Sequence, residues 1–173
     1  MCGIVGIVGK KGMVQHQSVL AATRCLGHRG PDAEAVWTNS DQSVALGHRR
    51  LSIIDLSEKA AQPLSYRQRY SIVHNGELYN YLELRRTLEQ KGHCFTSESD
   101  TEVIVAAYAE WGNDCLRKFD GMFAFAIWDE AEKILFAARD RFGEKPFFFF
   151  FDGEKLLFAS ELKALWTMGV EKN

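Results

Sequence analysis

The sequence predicts an α+β domain in which two antiparallel sheets pack together with helices outside. Three observations predict it. Short apolar runs are joined by polar turn signals, which gives hairpins and therefore antiparallel strands. Several of those runs are nearly continuous in apolar residues, so both faces of each sheet need cover. Segments with helical periodicity lie between them and supply part of that cover.

The elements follow in order. GIVGIVG (residues 3–9) reads as a buried strand with close backbone approaches. Residues 15–26 form a helix with Val19, Ala22 and Leu26 on one face. HRGPD (28–32) is a turn by its Gly-Pro pair. AEAVW and SVALGHRR flank TNSDQ as a hairpin, and YSIVHNGELYN (70–80) is a short strand running into a turn. Asn80 with Glu83 fits a capping box, followed by Tyr81, Leu84 and Leu88 on one helix face and Gly92 as a stop. Ser99 with Glu102 is a second capping box, opening a helix through Trp111. MFAFAIWD and KILFAARD form a hairpin, and PFFFFF and KLLFAS form another around Asp152-Gly153. PFFFFF reads as a core strand of a sheet, and a short helix over 160–168 closes the chain. No repeat, low-complexity tract or internal linker interrupts the 173 residues, which are read as one domain.

Composition excludes several classes. With 46% hydrophobic residues the chain is no disordered segment. Its net charge of -2, without a basic stripe, argues against nucleic acid. The apolar runs are far shorter than the ~20 residues a membrane helix needs. At the start of the chain, Lys10-Lys11 follows the apolar run, the reverse of a signal peptide. Cys2, Cys25, Cys94 and Cys115 form no CxxC pair, and the five histidines show no metal spacing, so no metal site is expected. A reducing, cytoplasmic setting fits unpaired thiols. A thiol-redox reading has only those cysteines behind it.

Glycines at 3, 6, 9 and 12 never give the one-residue spacing of a dinucleotide fingerprint. A Walker A loop ending at Gly9-Lys10 would need glycine where Ile4 stands and Ser or Thr where Lys11 stands. Small residues packing a buried strand explain Gly6 and Gly9.

Cys2 offers chemistry if Met1 is removed, because one residue then carries a thiol and a free α-amine. That amine has a pKa of about 8, so it can act as a base near neutral pH. A side chain in this position is also compatible with no chemical role. In HNGE (74–77), Asn75 supplies an amide donor and Gly76 an unobstructed backbone N–H, the parts of an oxyanion hole. The same Asn-Gly pair fits a type I′ hairpin turn. Arg50 has forked donors suited to a carboxylate, or is a solvated strand-edge cation. Asp100 stands at a helix start, where its residue type alone reads as a helix-dipole or capping partner.

Taken together, MCGIVG, RGPD, GHRRLSIIDLS, HNGELYNY, SDTEV, FDGMFAFAIWD, RDRFGEKP and FASELKAL resemble the class II glutamine amidotransferase domain. They are most like the amino-terminal half of glutamine-hydrolysing asparagine synthetases. The resemblance covers essentially the whole chain. It implies the fold of the N-terminal-nucleophile hydrolases, a four-layer αββα sandwich. It implies Cys2 as nucleophile and Asn75 and Gly76 as oxyanion donors. Arg50 matches the grip on the glutamine α-carboxylate, while Asp100 and the Asn75–Glu77 turn match the contacts around its α-amino end. Leu51, Ile53 and Ile54 match the pocket wall and are placed on the strand that shapes it. Arg29 and Asp32 are structural supports.

The implied reaction converts L-glutamine and water to glutamate and ammonia, without metal or organic cofactor. ATP and magnesium are implied only for a synthetase domain, which lies outside this chain and would act in cis or in trans. A homodimer is compatible with all of this. The alternative is a non-catalytic relative that binds glutamine or a partner, whose signature would be loss of Cys2, Asn75 or Asp100. The PFFFFF run is more uniformly phenylalanine than the family's tyrosine-bearing version, and a face there would meet the synthetase domain.

Overall fold

A computed structural model describes residues 1–172. β1 (Gly3–Val8) is the middle strand of a five-stranded sheet, in the order β2 (Ala33–Thr38), β3 (Val44–Arg50), β1, β9 (Leu156–Ala159), β8 (Phe148–Phe151). The second sheet runs β4 (Leu64–Tyr66), β5 (Tyr70–Leu78), β6 (Gly121–Asp129), β7 (Ile134–Arg139). Every strand pair is antiparallel. The helices are α1 (His16–Cys25), α2 (Tyr81–Gln90), α3 (Asp100–Trp111) and α4 (Leu162–Thr167).

The alternation of side chains along the strands sorts the core into three layers. Val5 and Ile7 of β1 and Leu157 of β9 face Val19, Ala22 and Leu26 of the α1 segment and Leu165 of α4. Ile72 of β5 and Phe123, Phe125 and Ile127 of β6 face Leu84 and Leu88 of α2 and Ile104 of α3. Between the sheets, Ile4, Leu46 and Phe158 meet Val73, Ala124, Ala126 and Trp128. Along β6, Phe123, Phe125 and Ile127 turn to the helices, and Ala124, Ala126 and Trp128 turn to the other sheet. The order of layers is therefore helix, sheet, sheet, helix, as the resemblance implies.

Several elements differ in detail from their expectation. β1 ends at Val8, so Gly9 lies outside it. A Cβ at Gly9 would make only ordinary contacts, the nearest at 3.6 Å from Lys155 Cβ, and packing does not explain that glycine. At Gly6 it does: a Cβ there would overlap the Phe158 ring. β5 runs straight through Asn75-Gly76 to Leu78, and the turn falls at Tyr79-Asn80. The ladder to β6, with Asn75 opposite Ala124 and Gly76 opposite Phe123, outweighs the local turn preference of Asn-Gly.

Neither capping box forms as drawn. Asn80 stands at the N-cap of α2, but its amide bridges Lys118 O and the Asp120 N–H. Ser99 caps α3 by accepting from the Thr101 N–H, while Glu102 turns back to the Thr96 and Ser97 N–H groups. The PFFFFF run is no core strand: β8 is an edge, and Phe149 and Phe151 are more than half exposed. Only Phe147 of the run turns inward, stacking on Phe158 with centroids 5.2 Å apart.

Gly6→Ala should lower unfolding free energy by about 1–3 kcal/mol, because the Phe158 ring must leave its place between the sheets. Urea denaturation checks this, with a lower midpoint at unchanged slope expected. An unchanged midpoint would show that the ring moves freely.

Candidate active site

β1 delivers Cys2 to a pocket between the ends of β1 and β3 in one sheet and β5 of the other. Gly3 pairs with Arg49 of β3, and on the other side the Ile4 N–H donates to Ser160 Oγ at 3.0 Å. The Cys2 carbonyl accepts from Arg29 Nε at 2.9 Å, and the Arg29 guanidinium is itself paired with Glu161 at 3.1 Å. Arg29 therefore fixes the backbone of the chain terminus. Asp32 supports the neighbouring loop by accepting from the Ser52 N–H.

The Cys2 thiol donates to Leu51 O at 3.6 Å and accepts from the Leu51 N–H at 3.4 Å. Burial pushes its pKa up, and the Leu51 hydrogen bond and nearby positive charge only partly oppose this. The thiol is thus protonated at neutral pH and needs a base to react.

β3 ends at Arg50, and Leu51, Ile53 and Ile54 lie in the loop beyond it rather than on a strand. That loop is wound around two side chains. Arg50 donates from Nη1 to Ser57 O at 2.9 Å and from Nη2 to Asp55 O. Asp55 accepts from the Ser57 and Glu98 N–H groups. The Asp55 and Ser57 carbonyls turn toward Arg50, and Leu51, Ile53 and Ile54 line the pocket, although Ile53 is more than half exposed and Leu56 lies in solvent.

β5 supplies the opposite wall. β4 pairs only with Tyr70–Ile72, so the edge of β5 beyond it is bare. The His74 N–H is taken by Gln62 Oε1 at 2.6 Å and the Leu78 N–H by Asp100 Oδ2 at 2.9 Å. Gly76 lies midway. Its neighbour on β6, Phe123, turns both N–H and C=O to Asp140, so Gly76 and Phe123 form a non-hydrogen-bonded pair. The Gly76 N–H is left on the bare edge, toward the pocket. Only glycine fits, because a Cβ would overlap Met122 O and crowd Phe123 Cα. The Asn75 side chain is 1% exposed, and both of its amide atoms are buried without a partner.

Two buried histidines back this wall. His48 Nε2 donates to His74 O at 3.1 Å, and burial holds the His48 pKa down at about 3. His74 is also depressed by burial. Gln62 donates to Thr101 Oγ1, and the same hydroxyl lies 3.1 Å from His74 Nδ1. His74 Nε2 is buried without a partner.

Cys2, Arg50, Leu51, Ile53, Ile54, Asn75, Gly76, Glu77 and Asp100 all line this one pocket. Sequence reasoning missed Gln62, Thr101 and Lys145, which line it too. Thr101 belongs to the SDTEV stretch and Lys145 to RDRFGEKP, so both stretches carried a signal. The four cysteines are all free, and among the described residues no group of three His, Cys, Asp or Glu side chains could hold a metal.

A family profile described as a glutamine amidotransferase domain matches residues 1–173. The chain belongs to that family. This glutamine amidotransferase domain is 46% identical over 170 residues to asparagine synthetase (glutamine-hydrolyzing) 3 of Bacillus subtilis, covering 95% of the chain and 27% of that protein. It is 43% identical to asparagine synthetase (glutamine-hydrolyzing) 1 of the same organism, over 95% of the chain and 26% of the relative. The chain thus spans about a quarter of the length of these relatives. The solved glutamine phosphoribosylpyrophosphate amidotransferase from B. subtilis superposes with a TM-score of 0.82 at 24% identity. The match covers 97% of this chain and 44% of that one, and shows the shared fold.

The buried histidines predict a pH dependence. Both rings are neutral in the fold, whereas in the unfolded chain they protonate near 6.5, so stability is complete above that value. As pH falls the unfolded chain takes up protons first, and for His48 stability is lost down to about 3. Between about pH 7 and 5.5 His48 alone should remove about 1.3 kcal/mol of unfolding free energy. His48→Gln, which keeps a donor for His74 O, should lose that part of the decline in urea titrations. An identical decline in the variant would refute the assignment.

Proposed function

We propose that the domain hydrolyses the side-chain amide of L-glutamine through a Cys2 γ-glutamyl thioester and that the ammonia passes to a synthetase domain. The observation that carries this reading is the Asn75 amide. It is fully buried, unpaired and placed with the Gly76 N–H in the pocket that holds the Cys2 thiol.

Removal of Met1 frees the Cys2 α-amine, which takes the thiol proton. The thiolate attacks the amide carbon, and the oxyanion is held by Asn75 Nδ2 and the Gly76 N–H. The protonated α-amine gives its proton to the leaving nitrogen, ammonia departs, and the thioester remains. The same amine then takes a proton from water, which attacks the thioester and releases glutamate and the thiol. Arg50 has N–H donors beyond the two it spends on Asp55 and Ser57, and these clamp the substrate α-carboxylate. Asp100 and Glu77 receive its α-ammonium group, and Leu51, Ile53 and Ile54 flank its methylenes. No cofactor enters these steps.

The named relatives are asparagine synthetases, so the ammonia acceptor proposed is an aspartate activated with ATP and magnesium in a synthetase domain, in cis or in trans. The exposed phenylalanine edge of β8 offers that partner an apolar face. Among the described residues no helix is long and apolar enough to cross a membrane.

Cys2→Ala should abolish ammonia release from glutamine in a chain shown by intact mass to lack Met1, and undiminished turnover would sink the nucleophile assignment. Asp100→Asn keeps an acceptor for the Leu78 N–H but removes the charge. It should raise KM for glutamine by about tenfold or more with a smaller change in kcat. Steady-state kinetics with an unchanged KM would take Asp100 out of substrate binding.

A further inference from the structure

Lys145 is buried, with 7% of its surface exposed, and among the described residues no carboxylate pairs with it. A buried ammonium without a counter-ion is costly and marks a site where its charge is used. The loop that carries it is built to hold it. The Asp140 carboxylate gathers the N–H groups of Phe123, Phe142, Glu144 and Lys145. Arg139 ties down the same loop from outside, donating to Gly143 O and, at 2.6 Å, to Lys145 O. Asp140 is thereby saturated by backbone donors, and the Lys145 ammonium projects into the pocket instead.

There its Nζ lies 3.4 Å from Met1 Sδ, a weak acceptor. Met1 is joined to Cys2 by one peptide bond. Removing Met1 takes away the partner of the ammonium and opens the Cys2 nitrogen in the same pocket. We propose that Lys145 is a positioning residue that then faces the freed Cys2 α-amino group and keeps it neutral, ready to take the thiol proton. The inference rests on the glutaminase reading for its kinetic consequence, but the state of the amine can be read without turnover.

A neighbouring cation disfavours a second positive charge, and the lone pair of a neutral amine accepts a hydrogen bond from an ammonium. The other charged groups around the site divide. Arg29, bonded to Cys2 O, and Arg50 act with Lys145. Asp55, Glu77 and Asp100 oppose it, although Asp55 and Asp100 already accept backbone N–H bonds. His74 is held neutral by burial.

The test compares Lys145→Met and Lys145→Arg with the parent, each as the full chain with Met1 removed. In Lys145→Met the acid limb of the kcat/KM profile for glutamine should rise by about one pH unit. That is a loss of about tenfold at pH 7, nearly recovered at pH 9, with KM little changed and with Lys145→Arg close to the parent. A loss equal at every pH, or an unmoved limb, overturns the proposal. Competitive acetylation of the terminal amine, followed by mass spectrometry, supplies the second readout. In a Cys2→Ala background, which removes the thiol, Lys145→Met should raise the amine pKa by about one unit. Equal values overturn the proposal. If the parent hydrolyses no glutamine, the glutaminase reading falls and the amine titration alone decides the role of Lys145.

Discussion

The structure depends on holding a chain terminus rigid in the middle of a sheet. A terminus ordinarily frays unless its backbone is tied down. Here β1 pairs with β3 along its whole length and with β9 from Val5 onward. Where β9 stops, Ser160 continues the pairing with both its N–H and its hydroxyl on Ile4. Arg29 reaches one residue further, to the Cys2 carbonyl. Backbone restraint therefore extends up to the peptide group that precedes Gly3, and beyond it the thiol is held by its two contacts with Leu51. The Cys2 nitrogen sits just past the last anchored backbone atom.

The opposite wall works by a complementary device. β4 is only three residues long, and its shortness leaves the edge of β5 unpaired from His74 to Leu78. A bare edge is normally a hazard. Gln62 and Asp100 answer it at either end, and the N–H between them, that of Gly76, stays open to the pocket. A longer β4 would have paired this donor and filled the space in front of Asn75. The site is a deliberate gap in a ladder, bordered by side chains that imitate the missing strand.

Much of this was legible in the sequence. The Asp152-Gly153 hairpin, the β6–β7 hairpin and the α3 N-cap at Ser99 are local features, and local chemistry predicts them. Every pocket residue carried over from the family motifs lines the pocket in the fold. What failed was set by distant partners. Asn75-Gly76 reads as a turn until β6 pairs with it across more than forty intervening residues. Asn80 reads as a capping box until Lys118 and Asp120 claim its amide. Phe148–Phe151 reads as core because six successive apolar residues usually are, yet the sheet ends there. Lys145 was hidden because only the loop wound on Asp140 brings it to Met1, at the far end of the chain.

On the proposed function, the polar groups at the pocket make the removal of Met1 the deciding event. Both amide atoms of Asn75 and Nε2 of His74 are buried without partners, each at a cost of about 1–3 kcal/mol to the fold. Such groups are fixed before a substrate arrives and need no rearrangement to stabilise an oxyanion. The thiol is different. Burial raises its pKa, so the arrangement that prepares the donors also keeps the nucleophile protonated. With Met1 in place the Cys2 nitrogen is an amide and has no basicity to offer. The neighbouring histidines do not substitute: burial disfavours the protonated form of both, and His48 does not line the pocket. On the proposed mechanism the amine that appears when Met1 leaves takes the thiol proton, so on this reading turnover waits until the peptide bond is cut.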